Sequence, residues 1–193
     1  MSRPAVPKAH STVAQQGEGT PVSRPAVPKA HSAAAHSAKG SQVSPTALLD
    51  LLRRFEAEAV EYVLVGGHAV RLNGFNRNTE DIDILLPSSL ENGRRVIRAL
   101  SFLPSSKELQ ADWFAPPPGE PENIRVADDL LIDLLFAANG QTYEGLQNHV
   151  RTLCVEGVQI RTLDIEGLLK TKTDYRDKDR IDRDALMRLK ALL

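Results

Sequence analysis

Apolar positions along this chain fall into two kinds of run. Leu48, Leu51, Leu52 and Phe55 recur at the spacing of one helical face, and Ser44-Pro45 in front of them reads as an N-cap serine with proline at the first helical position. Tyr62 to Val65 is an unbroken apolar stretch, which predicts a buried strand. Gly66-Gly67 turns the chain, His68 to Leu72 predicts a short helix, and Asn73-Gly74 supplies its C-cap. Asn76 to Thr79 reads as loop, and Asp81 to Leu86 as a second buried strand closed by Pro87. Ser88 or Ser89 then caps a helix bearing Leu90, Ile97 and Leu100 and weakened by Gly93.

The second half alternates in the same way. Trp113 to Ala115 predicts a short strand, followed by a proline-rich loop from Pro116 to Pro121. Ile124 to Ala127 and Leu130 to Phe136 are two strands around an Asp128-Asp129 turn, and Thr152 to Val155 and Val158 to Arg161 are a second hairpin turning at Glu156-Gly157. Asp164 caps a helix carrying Ile165, Leu168, Leu169 and Lys172, and a last helix from about Lys178 presents Ile181, Leu186, Leu189 and Leu193. Helices alternating with strands and hairpins predict an α/β (α+β) domain, a mixed β-sheet covered by helices and ending in C-terminal helices.

Composition divides the chain. Ser2 through Ser11 recurs letter for letter at Ser23 through Ser32, and residues 1–43 hold no aromatic residue and one acid, Glu18, against Arg3, Lys8, Arg24, Lys29 and Lys39. Such a stretch cannot bury enough apolar surface to offset its ordering entropy, so it is expected to be a disordered tail, with 44–193 as the domain. Over all 193 residues, 41% are hydrophobic, 25% are charged and the net charge is −1, which suits one soluble domain and offers no global charge argument for nucleic-acid binding. The one cysteine, Cys154, excludes an internal disulfide and a cysteine-rich zinc site, and reads as a half-buried structural thiol. No apolar run approaches the roughly 20 residues of a membrane helix, and no apolar signal segment opens the chain, so a cytoplasmic location is expected.

The chemistry sits where the apolar runs are interrupted. Alternate residues of a strand share a face, so Asp81 and Asp83 project together while Ile82 and Ile84 enter the core. Two adjacent carboxylates repel unless a cation lies between them. Asp133 stands alone inside Leu130 to Phe136 and also needs a partner, which the same cation would provide. Oxygen ligands with few histidines favour Mg²⁺ over zinc, and the glycines let backbone amides approach an anion. Carboxylate pair and phosphate cradle together read as a metal–nucleotide site. Asp179 and Asp182 read as helix-surface partners of Lys178 and Arg183, and His68 as a cap or a phosphate contact.

Strand, Gly-Gly, short helix, Asp-x-Asp on the next strand and a lone Asp on a later one resembles the polymerase-beta-like nucleotidyltransferase superfamily, and within it the AbiEii/AbiGii toxin-type enzymes. The residues that carry the resemblance are Gly66, Gly67, Arg77, Thr79, Asp81, Asp83 and Asp133, with Leu168 to Lys172 and Arg176 to Asp182 similar to the helical end of those proteins. The resemblance implies a nucleotidyltransferase fold in which Asp81 and Asp83 hold Mg²⁺ (or Mn²⁺) against an NTP, and Asp133 binds a second metal and helps deprotonate an acceptor hydroxyl. It further implies that Gly66, Gly67, Arg77, Thr79, Lys172 and Lys178 form the nucleotide site. The acceptor would be a hydroxyl of RNA or protein, and a cognate antitoxin a partner. The superfamily's usual Gly-Ser is Gly66-Gly67 here, so one phosphate-touching hydroxyl is missing. A catalytically weak nucleotide- or partner-binding module and a small-molecule, antibiotic-type nucleotidyltransferase are the alternatives.

Overall fold

The structure is a computed structural model and describes residues 43–117 and 123–192. The expected disordered tail, apart from Val43, falls outside the described residues, as do Pro118 to Pro121 of the proline-rich loop and Leu193. In chain order the elements are α1 (Pro45–Ala57), β1 (Val63–Leu64), α2 (Gly66–Leu72), β2 (Asp81–Leu85), α3 (Leu90–Ala99), β3 (Ile124–Ala127), β4 (Leu131–Leu135), β5 (Ala137–Ala138), β6 (Gln141–Thr142), β7 (Val150–Val155), β8 (Val158–Leu163), α4 (Ile165–Thr171) and α5 (Asp177–Lys190). Six strands form one mixed sheet in the order β3-β4-β2-β1-β8-β7, and β5 and β6 make a separate small hairpin. This is the helix-covered mixed sheet that the alternation of patterns predicts.

Two parallel pairings set the site. β2 runs parallel to β4, with Asp83 opposite Asp133, and β1 runs parallel to β8 through Leu64 and Thr162. β1 and β2 are antiparallel neighbours, so the chain leaving β1 enters α2 beside the start of β2. Buried Thr162 fixes the central pair further by donating its hydroxyl to the Leu64 carbonyl at 3.0 Å.

Helix α1 forms as its pattern predicts. The Ser44 hydroxyl accepts the Ala47 amide at 3.1 Å, a cap worth about 1 kcal/mol, and Leu48, Leu49, Leu51, Leu52 and Phe55 are buried. Asn92 on α3 is buried and pairs with the Glu61 backbone as a strand would, donating to its carbonyl and accepting its amide, each at 2.8 Å. These two bonds tie α3 to the chain entering β1.

Several expectations are corrected. Of the two serines offered as the cap of α3 the structure uses Ser89, but Leu90, expected on the apolar face, is exposed; the buried face is Asn92, Gly93, Val96 and Ala99. Trp113 to Ala115 is not a strand: Ala111–Phe114 is a 3-10 turn that buries Phe114 against α3. Gly93 makes that seat, because a Cβ there would stand 2.5 Å from the Phe114 Cβ. The glycine that weakens the helix in isolation therefore admits an aromatic ring. Cys154 is exposed, since it lies with Thr152 on the outward register of edge strand β7. On α5, Ile181 is exposed while Asp179, Asp182 and Leu186 are buried.

Gly93→Ala would strengthen a solvent-exposed helix by up to about 1 kcal/mol. Here overpacking against Phe114 is expected to win and destabilise the domain by about 1–3 kcal/mol, read as a lower urea midpoint. Val43, counted with the tail by composition, is buried in the core. Removal of residues 2–42, leaving Val43 in place, is expected to leave thermal unfolding nearly unchanged; a loss above about 1 kcal/mol, large on the usual mutational scale, would show that the tail packs on the domain.

Candidate active site

Strands β2 and β4 deliver three acids to one place. Asp81 and Asp83 share a face of β2, the parallel register sets Asp133 beside Asp83, and one carboxylate oxygen from each lies within 4.8 Å of the others. All three are partly buried. Burial first, then the charges of Asp81 and Asp133, push the Asp83 carboxyl up to about 6; Lys172 and the Gly67 N–H hydrogen bond oppose that rise. Three converging hard oxygen donors, one of them kept from ionising freely by burial and by its acidic neighbours, fit a divalent cation such as Mg²⁺ or Mn²⁺.

The two glycines are required by this crowding. Gly66 has φ +63°, and a Cβ on it would fall 1.8 Å from Asp83 Oδ2, inside the carboxylate. A Cβ on Gly67 would meet Thr79 Oγ1 at 2.6 Å and Arg77 Nε at 3.2 Å. Thr79 is buried there and donates its hydroxyl to Asp81 Oδ1 at 2.9 Å, which aims that carboxylate. The place a serine would take after Gly66 is thus filled from the opposite side by a threonine.

Arg125 is a site residue that sequence reasoning missed. It stands opposite Asp133 in the β3–β4 hairpin and grips it with two bonds, Nε to Oδ1 at 2.6 Å and Nη2 to Oδ2 at 2.7 Å. The hairpin held only part of the signal: strands ending at Ala127 and starting at Leu130 would set Arg125 opposite Ile132, but Leu130 falls in the turn, so Ala127 pairs with Leu131 and Arg125 with Asp133.

Arg77 and Lys172 line the same cleft, but they are not free. Asp182, only 1% exposed, accepts Arg77 Nη1 at 2.5 Å and Lys172 Nζ at 2.8 Å on the same oxygen, Oδ2. Asp179 lies 3.6 Å from Lys172. Burial works against its ionisation, yet hydrogen bonds from the Thr173 hydroxyl and amide, with the Lys172 charge, keep its carboxyl below the usual range. The expected surface pairs of Asp179 with Lys178 and of Asp182 with Arg183 are therefore replaced by a buried network. Its bases come from the loop before β2 and the end of α4, and Arg183 instead donates to the Leu169 and Lys172 carbonyls. Lys178 is exposed on the cleft wall near Tyr175 and Arg176. Arg77 does not pair with Glu80 or Asp81.

The cleft enclosed by these groups measures ≈ 430 Å³. Gly66, Gly67, Arg77, Asp81, Asp83, Asp133, Lys172 and Lys178 all line it, so eight of the nine residues named from sequence meet in one cavity, with Thr79 directly behind. His68 is outside it: burial and the Arg71 charge hold its imidazole down at about 4, neutral at pH 7, with Nε2 unpartnered. Among the described residues no helix is long and apolar enough to cross a membrane.

No protein-family model matches this chain, and no curated protein does. Solved structures do. The lincosamide antibiotic adenylyltransferase LnuA, lincomycin-bound, is similar at 19% identity and a TM-score of 0.53, over 77% of this chain and 99% of that one. An antigenic nucleotidyltransferase-like protein of Paracoccidioides brasiliensis is 16% identical with a TM-score of 0.48, over 76% and 75% of the two chains. The chain has the nucleotidyltransferase fold.

The crowding of Asp83 has a measurable consequence. Folding favours its protonated form, so stability is not penalised below the ordinary value of 3.8, falls as pH rises from there to about 6, and stays lowered above. With divalent cations chelated, Asp83→Asn is expected to raise the unfolding free energy above pH 6 by about 1–3 kcal/mol and to leave it unchanged below about pH 4. Urea midpoints across that range check both the sign and the window.

Proposed function

We propose that this chain is a metal-dependent nucleotidyltransferase that moves a nucleoside monophosphate from an NTP to an acceptor hydroxyl. The observation that carries the reading is the convergence of Asp81, Asp83 and Asp133 within 4.8 Å beside a glycine turn, in a cleft walled by cations. The fold shared with LnuA supports it. Asp81, Asp83 and Asp133 would hold Mg²⁺ or Mn²⁺, which when bound stabilises the attacking and leaving oxygens of an in-line displacement.

The remaining work falls to the chain's own groups. Gly66 and Gly67 carry no side chain on the acid-facing turn, so their backbone is open to a phosphate once Asp83 turns to a cation. Arg77 and Lys172, held by Asp182, set fixed positive charge behind the triphosphate, and Lys178 adds an exposed one on the cleft wall. Thr79 orients Asp81. Asp133 accepts the proton of the acceptor hydroxyl as its oxygen bonds to the α-phosphorus and the bond to the β-phosphate oxygen breaks, releasing pyrophosphate. The acceptor we propose is a hydroxyl of RNA or protein, with a cognate antitoxin as partner, on the toxin-type resemblance of Gly66-Gly67 and the Asp81/Asp83 pair.

The binding-module reading draws on one observation, the Arg125–Asp133 ion pair, which gives Asp133 a partner without any metal. Asp133→Asn separates the two. Equilibrium NTP binding is expected to survive within a few-fold, while single-turnover transfer of label from NTP collapses, because the acceptor's deprotonation leans on Asp133. Transfer at the wild-type rate would overturn the two-metal reading and leave the binding module ahead.

A further inference from the structure

Two of the cations that line the cleft are fixed by a buried anchor. Arg77 and Lys172 converge on an aspartate that is 1% exposed, and a buried pair of this kind does not open without stranding charge. Arg125 differs in each respect. Its side chain is 52% exposed on edge strand β3, while its partner Asp133 is 15% exposed and belongs to the carboxylate cluster. The guanidinium fork engages both Asp133 oxygens, so its charge stands where a cation using all three acids must come. The two-bond fork makes this pair stronger than a simple surface one, but half of the Arg125 side chain already faces solvent, so a divalent ion that takes Asp133 releases the guanidinium to water without stranding a buried charge.

We infer that Arg125 is a displaceable counter-ion: it holds Asp133 until a divalent cation takes that carboxylate, and the freed guanidinium then binds a phosphate oxygen of the triphosphate. The inference rests on the metal–nucleotide reading above and adds a positioning residue to it. Charge balance supplies the second half. Once Asp81, Asp83 and Asp133 face a metal, the anion left for a cleft-lining arginine is the substrate's phosphate, and a planar fork suits phosphate as it suits carboxylate. The same side chain would therefore oppose the metal alone and favour the metal with its triphosphate.

That opposition of sign is the test. Mn²⁺ binding is measured by the electron paramagnetic resonance of free Mn²⁺, first alone and then with inorganic tripolyphosphate, for the full chain and for Arg125→Gln and Arg125→Lys. Arg125→Gln is expected to bind Mn²⁺ alone about threefold to tenfold more tightly, and Mn²⁺-tripolyphosphate about threefold to tenfold more weakly, the scale of a solvent-screened ion pair. Arg125→Lys keeps the charge without the fork; it is expected to tighten Mn²⁺ alone and to weaken Mn²⁺-tripolyphosphate by less than Arg125→Gln does. A purely structural arginine would move both affinities the same way, and that result, or two unchanged affinities in a chain that does bind Mn²⁺, overturns the inference while leaving the metal site standing. Absence of Mn²⁺ binding in all three proteins overturns both. Far-UV circular dichroism confirms folding, and if Arg125→Gln fails to fold, the Arg125→Lys pair of measurements decides.

Discussion

Like-charge repulsion among three carboxylates governs how this molecule is built at one end of its sheet. Asp81, Asp83 and Asp133 are brought together by strand alternation and a parallel register, which are properties of the backbone and cannot be relaxed by a rotamer change alone. The surroundings respond residue by residue. Gly66 gives up a side chain so that the Asp83 carboxylate has room, the Gly67 amide donates to it, Thr79 donates to Asp81, and Arg125 clamps Asp133. Even so, Asp83 ionises with difficulty. Cations and donors around the cluster lower its cost without removing it, which is the condition a site needs if it is to gain from a divalent ion.

The same logic holds the C-terminal helix in place. Helix α5 buries little apolar surface for its length, and two of its buried positions are aspartates. Asp182 and Asp179 draw Arg77 and Lys172 inward from separate parts of the chain. The cations of the cleft wall and the docking of α5 are thus one structure, and a change that loosens the helix also frees the wall.

What the sequence made legible and what it hid divide along the range of the interactions. The acids could be read because alternation within Asp81 to Leu85 and the isolation of Asp133 in an apolar strand are local facts. Arg125 was one place out of reach: a two-residue turn at Asp128-Asp129 that joins Ala127 to Leu130 counts Arg125 opposite Ile132, and only the wider turn, which pairs Ala127 with Leu131, sets it on Asp133. Asp182 was out of reach altogether: its partner Arg77 lies 105 residues away, and an acid on a charged helix carries no local mark of burial. Phe114 shows the same limit, because the notch at Gly93 that turns a short aromatic run into a 3-10 turn exists only after α3 is folded beside it. Leu168 to Lys172 was read as one helix, but Lys172 caps its end, and that break lets the side chain point into the cleft wall.

The exposed thiol of Cys154 has a use unrelated to its origin. It is the only cysteine of the chain and sits on β7, the sheet edge opposite β3, with four strands between them. At about 4.8 Å per strand step, a label there stands about 24 Å across the sheet from Arg125. A maleimide dye can therefore be attached to the unaltered protein at a single defined point, clear of the acids and their cations. It supplies a fixed reference against which a second probe on a nucleotide or acceptor can be ranged.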